Sequence, residues 1–441
     1  MKKPLYLFGL LAILIFTACT NDEIPPVVEE EPITEDPITE DPTDPEEEPP
    51  VLMGEVQFLN ANLVYDGLVL INDAGNNRAF LMDKEARLVH EWPLSNNLGN
   101  DAHLESDGVL LATLEADDPK ITFGGQGGKI QFIAPDGTIT WNFNYSSEEA
   151  ETHHDVELLP NGNVLAMVWE RVTQDMAANA GSSSLVDVFP EAIIEVDPRT
   201  DQIVWEWHAW DHIIQDFDET KDHFGVVADN PQLIDVNYVT IDNGDIMHAN
   251  GIAYDPVKDV IYLSVNFYSE VWVIDHSTST EEARGNSGGN YGKGGDLIYR
   301  FGNPEAYRNA SGERLFKNNH FPNLLKGEQE GKMLIFSNGA ELEQSTVYEL
   351  QLPSEFNLQP NTDNEPEVIW TFSHPDLYSP KVSGAVLLPN GNRMIAEGDY
   401  GVWEVTETGQ VVWKFNAQGF FWRAYHYDKD APEISALNLS N

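Results

Sequence analysis

The sequence predicts an all-β fold, closed into a propeller of about six blades and entered through a small N-terminal β element. Three observations carry this. Five segments place a polar residue ahead of a hairpin-like stretch: DAHLESDGVLL at 101–111, HHDVELLPNGN at 153–163, HANGIAYDP at 248–256, HFPNLL at 320–325 leading to GKMLIFSNG at 331–339, and SGAVLLPNGN at 383–392. Four segments run from an apolar strand through a polar turn to a strand carrying tryptophan: FLMDKEARLVHEW at 80–92, IAPDGTITWNF at 133–143, EVDPRTDQIVWEW at 195–207 and EVTETGQVVWKF at 404–415. Short apolar or alternating runs bounded by Gly, Asp, Asn or Pro fill the rest, such as VLLATL at 109–114, VIYLSV at 260–265 and VWVID at 271–275.

The tryptophan phrase reads as an outer hairpin whose aromatic plug seals neighbouring sheets, and the polar phrase as the inner hairpin of the same blade. With roughly 40 to 60 residues per blade, including insertions, six blades fit, and five or seven also fit. The stretch 51–75 is expected as a small leading β element and 76–441 as the propeller. No long stretch carries a helical stripe. The best helical candidates, Ser147–Glu151 and Glu281–Ala283, are too short to organise the fold.

At the start of the chain, Lys2 and Lys3 precede the apolar run LYLFGLLAILIF at 5–16, which ends in Thr17-Ala18-Cys19. That order is a bacterial lipoprotein signal over 1–18, with Cys19 left for lipid attachment. Cys19 is the only cysteine, so the folded part contains no internal disulfide and its stability comes from packing. Residues 19–50 are rich in Pro, Asp and Glu without Lys or Arg. Proline prevents regular ladders and the carboxylates repel, so this is expected to be an extended, disordered tether. The predicted location is a bacterial outer membrane, facing the periplasm or the exterior. A formal net charge of −50 makes nucleic acid and anionic membrane surfaces poor partners. No assembly motif is evident, and a homo-oligomer stays open.

Closing the array would bring the polar positions of the repeated phrases to one axis, so a histidine-rich central pocket is the leading site. His154, His248 and His320 lack a metal-ligand spacing, with no HExxH or cysteine pair nearby. The acidic chain offers too many carboxylates to pick a glycosidase pair, and there is no GxSxG phrase. Imidazole is a nucleophile when neutral and an anion donor when protonated. Several imidazoles facing one cavity can therefore hold a sulfuryl or phosphoryl oxyanion while one attacks its central atom. The plainer reading is that histidines at repeated blade positions tie neighbouring strands together. The glycine-rich insertion at 285–295 and its neighbours Trp272, Tyr299 and Arg300 read either as a rim over the pocket or as an ordered surface connection.

At these same residues the chain resembles the bacterial arylsulfate sulfotransferase family, exported enzymes that move sulfate between phenols without phosphoadenosine sulfate. The resemblance runs through 153–165, HANGIAYDP at 248–256, VWVIDHSTSTEEAR at 271–284, GGDLIYRFGNPEAYR at 294–308, LIFSNG at 334–339 and 383–392. It implies a six-bladed propeller with a central active site, no cofactor, an aryl sulfate donor and a phenolic acceptor. By that resemblance His320 is the histidine transiently sulfurylated, His248 contacts sulfate, and the His153–His154 pair supplies the other contact through His154. Asn250, Asn266, Arg300 and Trp272 are the further candidates for substrate contact, with Trp422 as a possible aromatic wall. Two positions depart from the family. Asn266 stands where an arginine is common, offering a hydrogen bond without the charge or fork. Phe321 follows His320 where an aspartate is common, which removes a carboxylate able to orient the ring. A noncatalytic extracellular binding propeller, diverged from the family, is the alternative reading.

Overall fold

Short apolar strands joined by tight polar turns can satisfy their backbone groups only by pairing with their sequence neighbours, and six antiparallel sheets result. The computed structural model describes residues 49–439. The expected leader, Cys19 and the tether through residue 48 lie outside the described residues. Blades 2 to 5 are each four strands in chain order, starting from the axis with Leu98–Leu104, Ala150–Leu158, Ala249–Asp255 and Asn319–Leu324. Blade 6 starts with Gly384–Leu387. Blade 1 is built differently: its inner strand is Phe421–Tyr427, from the end of the chain, paired antiparallel with Leu68–Asp73. The last strand therefore closes the ring onto the first.

The stretch 51–75 is divided between two blades. Glu55–Leu59 pairs with Val411–Asn416 as a fifth, outermost strand of blade 6, and Leu68–Asp73 is the second strand of blade 1. The boundary expected at 75/76 thus falls inside a blade, because the apolar run at 68–71 is fully buried between two partner strands.

Outer-strand tryptophans reach across to the next blade. Trp141 Nε1 donates to Asp201 Oδ1 (2.9 Å), Trp205 to Thr278 Oγ1 (3.2 Å), Trp370 to the Glu407 carbonyl (2.8 Å) and Trp413 to the Lys84 carbonyl (2.9 Å). Each indole plugs the gap between sheets and spends its one donor on the neighbour. At the blade 6–blade 1 seam Lys84 also pairs with Glu404 at 2.7 Å and sits 4.4 Å from the Trp413 ring centre.

Of the two short helical candidates, Thr280–Ala283 is a helix, with Ser279 and Glu282 forming a capping box. The other is not, since Ala150 already begins an inner strand. Gln174–Asn179 and Pro432–Ala436 are helices that the sequence reading did not anticipate. The glycine-rich insertion is an ordered connection packed on the outer part of blade 4. Trp207 Nε1 donates to the Gly295 carbonyl at 2.8 Å, and His212 is held between Asp296 and the Ala283 carbonyl.

Candidate active site at the propeller axis

Inner strands aim side chains at the axis through bulges, which insert residues and turn the chain. Register breaks fall between His153 and Val156 in blade 3, Ala249 and Gly251 in blade 4, and His320 and Asn323 in blade 5. His154, His248 and Phe321 hold left-handed φ values of 52°, 51° and 55° at these points. For residues with a Cβ that conformation is costly, and here it turns the rings inward. The His154 and His248 ring centres lie 5.0 Å apart, edge to face. His320 bears on both, since charge on His248 opposes charge on His320, and charge on His320 opposes it on His154.

His320 has its proton assigned by its neighbour. The Asn338 side-chain nitrogen donates to the carbonyls of Ser379 (2.8 Å) and Val382 (2.9 Å), which fixes the amide orientation and leaves Oδ1 as an acceptor. That oxygen is 2.6 Å from His320 Nδ1, so Nδ1 carries the hydrogen and Nε2 carries the lone pair. Burial pushes His320 down to about 3, against the pull of the Asn338 bond and aided by the charges of His248 and Arg423. The ring is therefore neutral across the physiological range. Its Nε2 accepts the Val382 N–H at 3.2 Å.

His248 is set the opposite way. Burial opposes its charge, but the hydrogen bond from Nδ1 to Asp245 (2.5 Å), the Asp245 charge and that of Glu191 raise it above the ordinary histidine value. Phe267 stacks on it with ring centres 4.8 Å apart. His153 lies behind His154: the two Nδ1 atoms are 2.8 Å apart, and His153 Nε2 is 2.8 Å from Glu191 Oε2. Its ring is stacked flat on Trp169, centres 3.9 Å apart. Burial holds His153 down at about 3 and His154 well below the ordinary value, while it lifts Glu191 well above the carboxylate range. The Nε2 atoms of His154 and His248 have no hydrogen-bond partner among the described residues.

Asn266 stands beside the cluster. Its side-chain nitrogen donates to the Asn319 carbonyl (3.2 Å) and lies 3.4 Å from His320 Nδ1, whose hydrogen is given to Asn338. Asn250 donates to the same carbonyl at 2.8 Å, and its side-chain oxygen is buried without a partner. Trp422 is a wall residue, its ring 6.1 Å from that of His154.

Arg300 and Trp272 are not at the axis, contrary to the expectation from their place next to the insertion. They sit on the two outer strands of blade 4, fully buried. Arg300 is bound by Glu270 and the carbonyls of Pro231 and Leu233, and Trp272 Nε1 donates to Glu270 at 2.8 Å. The arginine that does reach the axis is Arg423, on the ring-closing strand. Its fork meets Asp155 at 2.7 and 2.9 Å, approaches Asp101 at 3.3 Å, and stacks 4.2 Å from the Phe321 ring centre. Phe321 thus serves as a platform for this ion pair. Beyond the Asp155–Phe321–Arg423 layer lies a cavity of about 850 Å³, lined by residues that follow the histidines along the inner strands, Glu157, Lys326 and Tyr425 among them. None of the three histidines lines it.

Sequence reading missed the GGQGG loop at 124–128. His154 N donates to the Gly125 carbonyl at 3.1 Å, and a Cβ on Gly125 (φ 85°) would stand 2.1 Å from the His154 ring. Only glycine lets this loop cover the imidazole. Asn338, Glu191, Asp245 and Arg423 were also missed.

The inner strands of a six-bladed ring bring three imidazoles to one axis, His320 held neutral by burial and His248 raised above the ordinary histidine value by Asp245. The arylsulfotransferase (ASST) family profile matches residues 55–433, and the chain belongs to that family. No curated protein matches the chain. Solved structures to which the chain is similar include a putative 6-phosphogluconolactonase from Bacteroides fragilis, 11% identical with a TM-score of 0.42, covering 84% of this chain and 100% of that one. Dihydro-heme d1 dehydrogenase is 8% identical with a TM-score of 0.36, covering 88% of this chain and 81% of that one. Hydrazine synthase from Kuenenia stuttgartiensis is 14% identical with a TM-score of 0.36, covering 63% of this chain and 66% of that one.

Proposed function

We propose that the protein transfers a sulfuryl group from an aryl sulfate to a phenolic acceptor through a sulfohistidine at His320 Nε2. The observation that carries this reading is the Asn338 contact, which puts the hydrogen on Nδ1 and the lone pair on Nε2 of a neutral ring. In the first half-reaction Nε2 attacks sulfur, the S–O bond to the donor breaks, and the phenolate departs with that electron pair. The hydrogen stays on Nδ1, donated to Asn338 Oδ1, so the adduct carries an imidazolium and a sulfonate whose charges cancel. An acceptor phenol then takes the sulfuryl group and gives up its proton. Charge on the equatorial oxygens meets the protonated His248 and the Asn266 amide in place of a guanidinium. On this reading Cys19 anchors an exported enzyme to the outer membrane.

Two observations favour the noncatalytic alternative: the Val382 N–H occupies His320 Nε2, and the large cavity lies past the ion-pair layer. Intact-mass labelling with 4-nitrophenyl sulfate decides between them. A sulfuryl adduct on the native chain that is missing in His320→Ala and is discharged by phenol supports transfer. No adduct from several activated donors on folded protein makes it a binding propeller.

A further inference from the structure

We infer that Glu191, His153 and His154 form a proton relay that switches His154 Nε2 between donor and acceptor during sulfuryl transfer, an inference that rests on the function proposed above. The chain is continuous and closed to water along its length. Glu191 Oε2 meets His153 Nε2 at 2.8 Å, His153 Nδ1 meets His154 Nδ1 at 2.8 Å, and all three side chains are buried. Among the described residues, only the far end, His154 Nε2, lacks a protein partner, and it lies on the ring that faces His248.

Because two nitrogens face each other at the Nδ1–Nδ1 contact, only one of them carries hydrogen, and two arrangements are possible. In one, a neutral Glu191 donates to His153 Nε2, His153 Nδ1 donates to His154 Nδ1, and His154 Nε2–H points at the site. In the other, ionised Glu191 accepts from His153 Nε2, His153 Nδ1 accepts from His154 Nδ1, and His154 Nε2 is a bare lone pair. The two differ by one proton, entered or lost at His154 Nε2, while the charge appears on Glu191. A buried imidazolium never forms. That matters because burial penalises charge on His154, as its depressed proton affinity shows, and the same burial favours the neutral form of Glu191.

The cycle balances. When the donor phenolate leaves, His154 Nε2 gives it a proton, His153 and Glu191 each shift one hydrogen along, and Glu191 is left ionised. When the acceptor phenol attacks the sulfohistidine, its proton enters at His154 Nε2, the hydrogens shift back, and Glu191 is neutral again. Trp169 under the His153 ring and the Ala249 N–H on Glu191 Oε1 (2.8 Å) hold the relay in line. The other titratable groups that bear on it are Glu151 on the same strand, Asp245 and His248 ahead of blade 4, His320 in blade 5 and Arg423 in blade 1. Glu191 and His153 touch no substrate. They act through His154, which alone meets the reacting oxygen.

The test uses Glu191→Gln, whose amide oxygen can keep the Ala249 contact. With 4-nitrophenyl sulfate, whose leaving group needs no proton, E191Q is expected to form the adduct at a rate within about threefold of the native chain. After loading from phenyl sulfate, whose leaving group takes the relay proton, discharge to un-ionised phenol should slow by about a hundredfold or more, in the range of general acid–base catalysis. Discharge to an acceptor already ionised at the assay pH should be restored. Equal slowing for both acceptors, or none, overturns the relay. A second readout is independent of sulfuryl transfer: 15N NMR of the histidines in resting protein. Across a pH titration, His153 and His154 should exchange tautomer together in one step that vanishes in E191Q. Separate titrations, or an imidazolium signal at His154, overturn the relay whether or not the adduct forms.

Discussion

Asn338 Oδ1 lies 2.6 Å from His320 Nδ1 while the nitrogen of the same amide is engaged by the carbonyls of Ser379 and Val382, so one side chain sets the tautomer of another. Removing it frees the ring to rotate and to place its hydrogen on Nε2. Asn338→Ala is expected to slow adduct formation by about ten- to a hundredfold, as loss of an orienting partner does. It should also cost about 1–3 kcal/mol, because two buried carbonyls lose their donor. Single-turnover labelling and denaturant unfolding check the two effects separately.

His248 supplies a pH dependence whose sign is fixed by Asp245. Its folded value is raised above the unfolded one, so the charge is fully present below about pH 6.5 and is lost as pH rises through the higher, folded value. Both the stability it contributes and the binding of an aryl sulfate should fall over that upper window. In Asp245→Asn the fall should move to lower pH, which inhibition by an unreactive aryl sulfonate across pH 5–9 would detect.

Arg423 is held by Asp155 and approached by Asp101, all three buried. Arg423→Met leaves buried carboxylates without their cation, and the expected loss is about 3–5 kcal/mol. The double variant Arg423→Met/Asp155→Leu should recover part of it. Unfolding midpoints of the three chains form the cycle.

Glu157 faces the large cavity, and burial lifts its carboxyl to about 7 against the pull of His103 and Lys326. A raised carboxyl binds more protons folded than unfolded, so it lowers stability as pH climbs from about 4.5 to 7. Glu157→Gln should flatten the thermal-midpoint profile over that interval and leave the profile below about pH 4 unchanged.

Gly125 has no room for a methyl group: a Cβ would collide with the His154 ring, and its φ of 85° is left-handed. Gly125→Ala is expected to displace His154 and to reduce transfer to phenol more than adduct formation from 4-nitrophenyl sulfate. Equal losses in the two half-reactions would place the effect elsewhere.

Blade number and the axial meeting of His154, His248 and His320 were legible because the polar phrases recur ahead of the hairpins that become inner strands. The tryptophan phrase was legible for the same reason, its indoles occupying outer strands, with Trp141, Trp205 and Trp413 bonding the next blade. Arg423 was hidden because blade 1 borrows its inner strand from the end of the chain, where no repeated phrase introduces it. Asn338 stood in a quoted segment, but its effect on His320 depends on three strands and a loop meeting in space. Glu191 lies on a third strand, a position that looks like ordinary core until His153 is seen above it. Proximity in sequence misplaced Arg300 and Trp272, since the strands that flank the insertion are outer ones.

The closing strand Phe421–Tyr427 has a consequence for how the protein is made. Its Arg423 arrives after every other inner strand of the ring has been synthesised, so a chain cut short before this point would carry an open ring, an unzipped edge on Leu68–Asp73 and an Asp155 carboxylate without its cation. Closure is thereby tied to this one strand: only a polypeptide that includes Phe421–Tyr427 can neutralise Asp155 at its own centre, and shorter products would expose the Leu68–Asp73 edge.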